Sequence, residues 1–395
     1  MQTTTRVFTA GPAPHDSSPG TQWALGIWAC ILPFAGLSTA AAQQSPSLDP
    51  GDRLASPTWQ RLPDLPDALG VAGPFVGVHR GALLVAGGAN FPRPIWESSK
   101  VWRRKIHVLV AKGADFVWQD GGRLSHPIAY GAAVSTHRGV ICLGGNHADQ
   151  TFDRVFALHW DAHEKRVLEI DYPPLPSPCA YGQAAMIGDM LYLAGGQRGA
   201  TLDSAMANLW ALDLSGTASP ETLRWQSLEP CPGGPRSFNL TVPQTNAADD
   251  CLYLISGRRQ GLTGVRFLRD VWEYNVTRRS WRRRADAPRC VMAGTAIAIG
   301  SRSVLVLGGA DGTLFDQADI LKDRHPGFPQ RSYWFDTTSN RWTAGAAIPQ
   351  NHVTTIPVRF NGKLVIASGE IRPRVRSSWI WHIQLPVRAQ ADDRP

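Results

Sequence analysis

Residues 81–88 read GALLVAGG, an apolar strand that ends in two adjacent glycines. The same phrase returns five times along the chain, as GVICLGG, MLYLAGG, CLYLISG, SVLVLGG and KLVIASG. Its last glycine stands at positions 88, 145, 196, 257, 309 and 369, which is a period of about 56 residues. One glycine-ended strand would say little, but six at similar spacing indicate a repeat architecture of six units.

Each unit contains four candidate strands. A strand precedes the glycine-ended strand, an aromatic strand such as SYWFD at 332–336 follows it, and most units end in a strand that begins at a tryptophan, such as SWRRR at 280–284. Four strands at this period are typical of a β-propeller blade, and the glycine pair with its aromatic strand resembles the kelch repeat. The glycines suit a strand end that turns beside a neighbouring backbone, where a Cβ has no room. The sequence therefore predicts an all-β, six-bladed kelch-type propeller.

The two ends of the chain complement each other. The sixth unit lacks its tryptophan strand, and an unassigned strand of that kind, PTWQRLPDLP, lies at 57–66. We expect this N-terminal strand to complete the sixth blade as its outer strand, so that the ring closes without an unpaired sheet edge. The predicted propeller spans residues 57–387 as one domain, and a short tail follows at 388–395.

The first 56 residues differ in composition from the rest. An apolar run at 23–37 is followed by STAAAQQ, whose small alanines resemble a signal-peptidase site before Gln43. We interpret residues 1–42 as a signal peptide and residues 43–56 as a linker. The apolar run is too short for a spanning helix. The sequence thus predicts export to a bacterial periplasm with no membrane span after cleavage, and a retained membrane anchor is the alternative.

The net charge of +8 arises from 40 lysines and arginines against 32 acidic residues. The arginines are scattered, and a basic patch must be clustered to bind nucleic acid, so we expect no nucleic-acid partner. The five cysteines after residue 42 show no CxxC spacing, and the histidines show no metal-ligand spacing. We therefore expect neither a zinc site nor another metal or cofactor.

The stretch SGEIRPRVRS at 368–377 departs from the other units. Glu370 and Arg376 fall in the loop after a glycine-ended strand, at one mouth of the predicted central channel. Arginine holds a carboxylate by two parallel hydrogen bonds, and a glutamate can transfer a proton, so this pair suits a small anionic ligand. The alternative is an ordinary surface ion pair. The positions equivalent to Glu370 in the other units are Ala89, Asn146, Gln197, Arg258 and Ala310.

Further candidates share this mouth because successive strands of a blade alternate in direction. Tyr130, Tyr181 and Arg236 precede inner strands, and Asn90 lies in a long loop that overhangs the channel. A second long loop overhangs it after Gly309. We treat these side chains as candidate ligand-binding residues, with core packing as an equal alternative for the two tyrosines.

Three motifs carry a family resemblance: GVAG at 70–73, GGANFP at 87–92 and GEIRPRVR at 369–376. With them the chain resembles the kelch-propeller N-acetylneuraminate epimerases, also called sialic acid mutarotases. It resembles most their cyclically permuted branch, in which the glutamate-bearing blade comes last. The resemblance implies an isomerase without a cofactor, with Glu370 and Arg376 as its catalytic pair. Arg374 stands where the family usually has a glycine.

The reaction that the resemblance implies is the interconversion of the α and β anomers of N-acetylneuraminate, a small anionic sugar. Arg376 would bind the sugar carboxylate, with Arg258 and Arg236 as further candidates. Glu370 would move a proton between the anomeric hydroxyl and the ring oxygen. The same chemistry on another acidic ketose fits the residues equally well.

Two other classes of protein stay open. A copper radical oxidase on a similar propeller needs two tyrosines, two histidines and a cysteine at one metal, and no cysteine lies near a suitable tyrosine here. A non-enzymatic kelch propeller acting as a carbohydrate- or protein-binding module is the stronger alternative, because a fold does not determine a function.

Overall fold

Residues 57–385 of the computed structural model form six four-stranded antiparallel sheets, which are the blades of a β-propeller. These are the residues that the structure describes. The predicted signal peptide at 1–42, the linker at 43–56 and the tail at 388–395 lie outside them. The prediction of an all-β fold with six blades is confirmed.

Blades 1 to 3 follow one another along the chain. Blade 1 consists of Phe75–His79, Ala82–Ala86, Lys105–Lys112 and Asp115–Arg123. Blade 2 consists of Ala132–Thr136, Gly139–Leu143, Val155–Asp161 and Arg166–Tyr172. Blade 3 consists of Gln183–Ile187, Met190–Ala194, Leu209–Asp213 and Trp225–Leu228. In each blade the first strand is innermost.

Blades 4 to 6 complete the ring. Blade 4 consists of Leu240–Thr245, Asp250–Gly261, Gly264–Asn275 and Ser280–Arg284. Blade 5 consists of Thr295–Ile299, Ser303–Leu307, Ser332–Asp336 and Arg341–Ala344. Blade 6 consists of Pro357–Phe360, Lys363–Ala367, Ile380–Gln384 and, as its outer strand, Thr58–Leu62.

The N-terminal strand closes the ring. Thr58–Leu62 pairs antiparallel with Ile380–Gln384, in a register that places Trp59 opposite Ile383. The inner strands of neighbouring blades touch all the way round, and that of blade 6, Pro357–Phe360, contacts that of blade 1, Phe75–His79. Since the outer strand comes from the opposite end of the described chain, the predicted closure is confirmed.

Apolar clusters lie between neighbouring blades. Phe75 of blade 1 packs edge-on against Phe156 of blade 2, with 5.5 Å between ring centroids. Four outer-strand tryptophans add a hydrogen bond of 2.8–3.0 Å from the indole N–H to a carbonyl of the preceding blade. The donor and acceptor residues are Trp118 and Pro63, Trp225 and Pro173, Trp281 and Glu229, and Trp342 and Ala285. The tryptophans that mark the repeat therefore hold one blade to the next.

The repeated glycine has the steric role that the sequence predicts. Gly369 has a φ of +108°, and a Cβ there would lie 2.9 Å from the carbonyl oxygen of Val353. Gly145 has a φ of +103°, and its Cβ would lie 2.9 Å from the oxygen of Ala129. A side chain at either position would strain the backbone and collide with the start of the inner strand.

Short hairpins and single helical turns lie in several of the loops between blade strands. Two short hairpins pair Ala89–Asn90 with Val101–Trp102 and Glu370–Arg372 with Val375–Arg376. The loop between the second and third strands of blade 5 carries one helical turn, Ala318–Leu321, flanked by the 3-10 turns Phe315–Gln317 and Lys322–Arg324. Two more 3-10 turns lie in blade 3, Leu202–Ser204 between its second and third strands and Pro220–Thr222 between its third and fourth.

Candidate active site

Six equivalent residues surround one mouth of the channel. Each follows the glycine of a second strand and forms a β-bridge to a residue just before the inner strand of its own blade. The pairs are Ala89 with Ala72, Asn146 with Ala129, Gln197 with Ala180, Arg258 with Ser237, Ala310 with Met292 and Glu370 with Val353. The bridges fix the backbone of these six positions, so Glu370 stands on a scaffold that is repeated in every blade.

A closed ring of backbone hydrogen bonds lies beneath this mouth. Six residues, one from each blade, each donate an N–H to the carbonyl of the preceding one at 2.7–2.8 Å. All six have a φ between +55° and +63°. We call this the channel ring, and its members are Gly73, Tyr130, Tyr181, Phe238, Ala293 and Thr354. Five of them are not glycine, and such left-handed residues cluster where structure serves function.

The channel ring is asymmetric in the size of its side chains. Tyr130, Tyr181 and Phe238 stack in a series, with centroid distances of 5.0 and 4.5 Å. Gly73, Ala293 and Thr354 on the other half are small. The larger open space at this mouth lies against Phe238, Ala293 and Thr354 rather than against the two tyrosines.

The two tyrosines of the ring are buried and hydrogen-bonded. The Tyr181 hydroxyl accepts a hydrogen bond from Nδ2 of Asn146 at 2.7 Å, and that of Tyr130 accepts one from Nη2 of Arg376 at 3.3 Å. Burial raises the pKa of both tyrosines, and the positive charge of Arg376 offsets this only partly at Tyr130. Both hydroxyls are therefore neutral near pH 7.

Glu370 opens the hairpin Glu370–Arg372, and its side chain is 17% exposed. Its Oε1 accepts hydrogen bonds from the backbone N–H of Arg374 at 2.8 Å and from Nη1 of Arg376 at 3.1 Å. Its Oε2 accepts no hydrogen bond from any residue between 57 and 385. One oxygen is thus held in place, and the other is free to meet a ligand.

Arg376 lies behind Glu370 rather than in open space, and its side chain is only 3% exposed. Besides Glu370 and Tyr130 it reaches the carbonyl oxygen of Ala89, 3.3 Å from Nε, and it lies 4.8 Å from the ring centre of Phe91. Burial lowers its pKa, but the carboxylate of Glu370 and the hydroxyl of Tyr130 outweigh burial, so the pKa lies above its ordinary value. Arg376 is a fixed cation whose donors point at protein groups.

A cavity of about 680 Å³ opens beside Glu370. Its floor includes Ala293 and Thr354 of the channel ring. Residues 310–330, which we call the blade-5 loop, form its far wall with a largely apolar surface. Apolar residues of the wall and floor are Phe238, Met292, Leu314, Phe315, Phe328 and Val353. The volume is typical of a pocket for a small organic molecule.

Three charged groups besides Glu370 line this cavity, namely Arg258, Arg289 and Asp311. Arg289 and Asp311 form an ion pair with a 3.3 Å separation of Nη1 and Oδ2. Arg258 has no carboxylate partner within the described chain, and its Nε is buried without an acceptor there. The predicted residues Glu370, Arg258, Arg376, Tyr130 and Tyr181 are therefore gathered at one end of the propeller.

Two predicted ligand-binding residues do not reach the cavity. Arg236 is fully buried, and its guanidinium donates to both carboxylate oxygens of Asp270, at 3.1 and 2.7 Å. Asn90 is also fully buried, and its amide joins the carbonyl of Gly70 at 2.8 Å to the guanidinium of Arg103 at 2.7 Å. Both side chains support the loops that carry the site, so we remove them from the ligand-binding set.

Most of the apolar wall was missed by the motif analysis. Phe315, Phe328 and His325 belong to the blade-5 loop, which the sequence marks as long and overhanging but without an assigned role. His325 is buried, and its Nδ1 accepts a hydrogen bond from the N–H of Gly327 at 3.0 Å. The length of the loop was the available signal, whereas the inward direction of its side chains required the fold.

Neither a metal site nor a membrane-spanning helix is present in residues 57–385. No group of three or more His, Cys, Asp or Glu side chains in that range is placed to hold a metal ion. No helix in the same range has the length and hydrophobicity needed to cross a membrane.

Curated proteins named N-acetylneuraminate epimerase are similar to this chain. One from Yersinia enterocolitica is 26% identical over 236 residues, which cover 53% of this chain and 56% of that protein. One from Haemophilus influenzae is 26% identical over 231 residues, covering 52% and 57%. The chain thus spans about half the length of the curated relatives it matches. These similarities confirm the resemblance seen in the motifs.

A solved structure described as YjhT shares the fold. It superposes with a TM-score of 0.59 and 14% sequence identity, covering 80% of this chain and 95% of the other. No family model matches the chain.

Proposed function

We propose that this protein is a carbohydrate isomerase that interconverts the α and β anomers of N-acetylneuraminate. The observation that carries the proposal is the state of Glu370, which has one oxygen fixed by Arg376 and the other free beside a cavity that also contains an arginine without a carboxylate partner. The names of the similar curated proteins support the choice of sugar.

The reaction needs one proton to move between two oxygens of the sugar. Glu370 takes the proton of the anomeric hydroxyl while the bond between the anomeric carbon and the ring oxygen breaks, and the electron pair of that bond goes to the ring oxygen. Glu370 then returns the proton to the ring oxygen. The open-chain ketone rotates, the freed hydroxyl attacks its other face, and the same transfers in reverse give the other anomer.

The geometry of Glu370 suits this work. A general acid–base group must hold its orientation while leaving a lone pair for the substrate, and such a group contributes roughly 10²–10⁴-fold in rate. Arg376 and the N–H of Arg374 fix Oε1, and Oε2 is left for the sugar. In this proposal Arg376 acts as a positioning residue for Glu370.

Proton NMR of anomer exchange tests the proposal. A sialidase releases α-N-acetylneuraminate in the sample, and the H3 signals of the two anomers are followed with and without the purified propeller. We expect the protein to speed equilibration well beyond the buffer blank. No acceleration, together with saturable binding of the sugar, would replace the enzyme by the carbohydrate-binding module that the sequence left open.

We further propose that the chain acts in a bacterial periplasm after removal of residues 1–42. The support is the apolar run and the small-residue site that precede Gln43. N-terminal sequencing of the protein from a periplasmic extract checks this proposal: Gln43 as the first residue is the expected result, and an intact N-terminus in the membrane fraction would favour a retained anchor.

A further inference from the structure

Three arginines are candidates to receive the carboxylate of an acidic ligand, and two of them are already engaged. Three of the five N–H donors of Arg376 go to Glu370, Ala89 and Tyr130, one from each nitrogen. Arg236 forms a two-pronged pair with Asp270 away from the cavity. Neither can turn to a ligand without leaving a buried partner unsatisfied, which is unfavourable.

Arg258, in contrast, has a side chain without hydrogen bonds to the described protein. It lines the cavity, and no N–H of its side chain donates to any residue between 57 and 385. Burial lowers its pKa from the ordinary value, and the nearby Tyr181 and Glu370 offset this only partly. A half-buried guanidinium whose Nε has no acceptor and which has no anionic partner is unfavourable, and a bound anion would reduce that cost.

The position of Arg258 is nevertheless well defined. Its backbone exchanges two hydrogen bonds of 2.9 Å with Ser237. Its guanidinium carbon lies 4.6 Å from the ring centre of Phe238 and 5.2 Å from that of Phe315. Stacking between aromatic rings covers the faces of a guanidinium and leaves its donors available at the edge, which is the geometry that grips a carboxylate with two hydrogen bonds.

The two rings come from different parts of the site. Phe238 belongs to the channel ring, and Phe315 belongs to the blade-5 loop. We propose that Arg258, held between these rings, is the receptor for the carboxylate of the ligand, and that Arg376 serves Glu370 instead. Arg258 then binds the ligand carboxylate, while Arg376 positions Glu370. The blade-5 loop completes the anion receptor by supplying Phe315. The choice of sugar probe rests on the proposed function.

The test compares N-acetylneuraminate with its neutral C1 methyl ester by ligand-observed NMR titration. The native protein should bind the acid about 10- to 100-fold more tightly than the ester, because hydrogen bonds to a charged group contribute about 1.5–3 kcal/mol. Arg258→Met should abolish this preference by weakening only the acid. Arg258→Lys retains the charge without the fork, and we expect it to lose part of the preference.

Arg259→Met is the matched control. Arg259 is the next residue on the same strand, and its Nη1 donates to the carbonyl of Gly233 at 2.8 Å. The preference for the acid should be unchanged in this variant. Thermal unfolding of every variant establishes that it is folded at the temperature of the titration, and Arg258→Lys carries the test if Arg258→Met is not folded.

Each result decides one of the two proposals. No preference for the acid in the native protein, or an undiminished preference in the folded Arg258 variants, would overturn the assignment of Arg258. If the preference depends on Arg258 but the protein does not speed anomer exchange, the anion receptor stands and the isomerase proposal fails. If exchange depends on Glu370 while the preference survives at Arg258→Met, the isomerase stands and the receptor lies elsewhere.

Discussion

Two of the buried arginine–carboxylate pairs of the described propeller are closely matched, Arg236 with Asp270 in blade 4 and Arg376 with Glu370 in blade 6. Their exposures are nearly equal: the arginine side chains are 0% and 3% exposed, and both carboxylate side chains are 17% exposed. The hydrogen bonds differ. Asp270 receives donors on both oxygens, from Arg236 and from the indole of Trp272, whereas Glu370 receives them on one oxygen only.

The comparison shows that burial does not separate a structural ion pair from a functional one in this molecule. The two pairs differ instead in whether both oxygens of the carboxylate accept hydrogen bonds. Burial alone would raise the pKa of Asp270, but its hydrogen bonds from Arg236 and Trp272 outweigh burial and lower it, as expected for a carboxylate that stabilises the fold. Glu370 keeps a free oxygen at the cavity.

Replacing Glu370 by glutamine should have the largest effect. The amide cannot take up the proton, so we expect anomer exchange to fall by roughly 10²–10⁴-fold while the shape of the site is kept. Exchange rates by NMR measure the effect at a temperature where thermal unfolding shows the variant to be folded, since the buried Arg376 also loses its counter-charge and the melting temperature should fall. Native-like exchange in the folded variant would place Glu370 with the structural pair.

The same substitution in the other pair should lower stability without slowing exchange. Asp270→Asn leaves the buried Arg236 without a counter-charge, and we expect the free energy of unfolding to fall by about 2–4 kcal/mol. Denaturant titration measures this, and anomer exchange below the melting transition should be near native. Loss of exchange in a folded variant would mean that the two pairs are coupled.

Low pH should destabilise blade 6 through its buried histidine. His352 is buried; its Nδ1 bonds the carbonyl of Ser368, and its Nε2 accepts from the indole of Trp381 at 3.1 Å, so the ring is neutral. Burial lowers its pKa to about 4, against 6.5 when unfolded. The unfolded chain therefore binds the proton first, and stability present above pH 6.5 is lost as the pH falls toward 4.

We expect this loss to reach about 2–3 kcal/mol for His352. Burial likewise lowers the pKa of His79 in blade 1 to about 4, so it adds to the effect. Melting temperatures at pH 7, 6, 5 and 4 give the profile, and His352→Gln should flatten it relative to the native protein. An unchanged slope in that variant would show that His352 does not contribute.

Arg376→Lys should have a moderate effect. Lysine keeps the charge beside Glu370 but cannot reach Glu370, Tyr130 and the carbonyl of Ala89 together. We expect exchange to slow about 10-fold through poorer positioning of Glu370, with the preference for the acid over its methyl ester preserved. A lost preference would show instead that Arg376 binds the carboxylate.

Trp272→Phe should have the smallest effect. It removes the indole donor 2.6 Å from Oδ2 of Asp270 but leaves both hydrogen bonds from Arg236. We expect the free energy of unfolding to fall by about 1 kcal/mol. Denaturant titration against the native protein measures the difference. A loss as large as that of Asp270→Asn would mean that the indole, rather than Arg236, holds the carboxylate.

The repeats made the fold and part of the site predictable. Six glycine-ended strands at similar spacing define the blades, and the lone strand around Trp59 explains the closure. Glu370 and Arg376 are six positions apart in one hairpin, so their contact follows from local sequence. These features depend on periodicity and on short-range geometry, both of which a sequence displays directly.

Other contacts depend on distances that only folding sets. Arg236 meets Asp270 on a strand 34 positions later, and this removes it from the ligand-binding set. Asn90 looked accessible in a long loop but is fully buried against Gly70 and Arg103. The freedom of Arg258 could not be predicted either, because it follows from the absence of a carboxylate within ion-pair distance of its guanidinium in the described structure.

The most direct measurement is anomer exchange with the two carboxylate-to-amide variants side by side. Glu370→Gln and Asp270→Asn are compared with the native protein by NMR at a temperature where all three are folded. We expect exchange near the buffer rate for Glu370→Gln and near the native rate for Asp270→Asn. Native-like exchange in a folded Glu370→Gln variant would contradict the claim that the free oxygen of Glu370 transfers the proton.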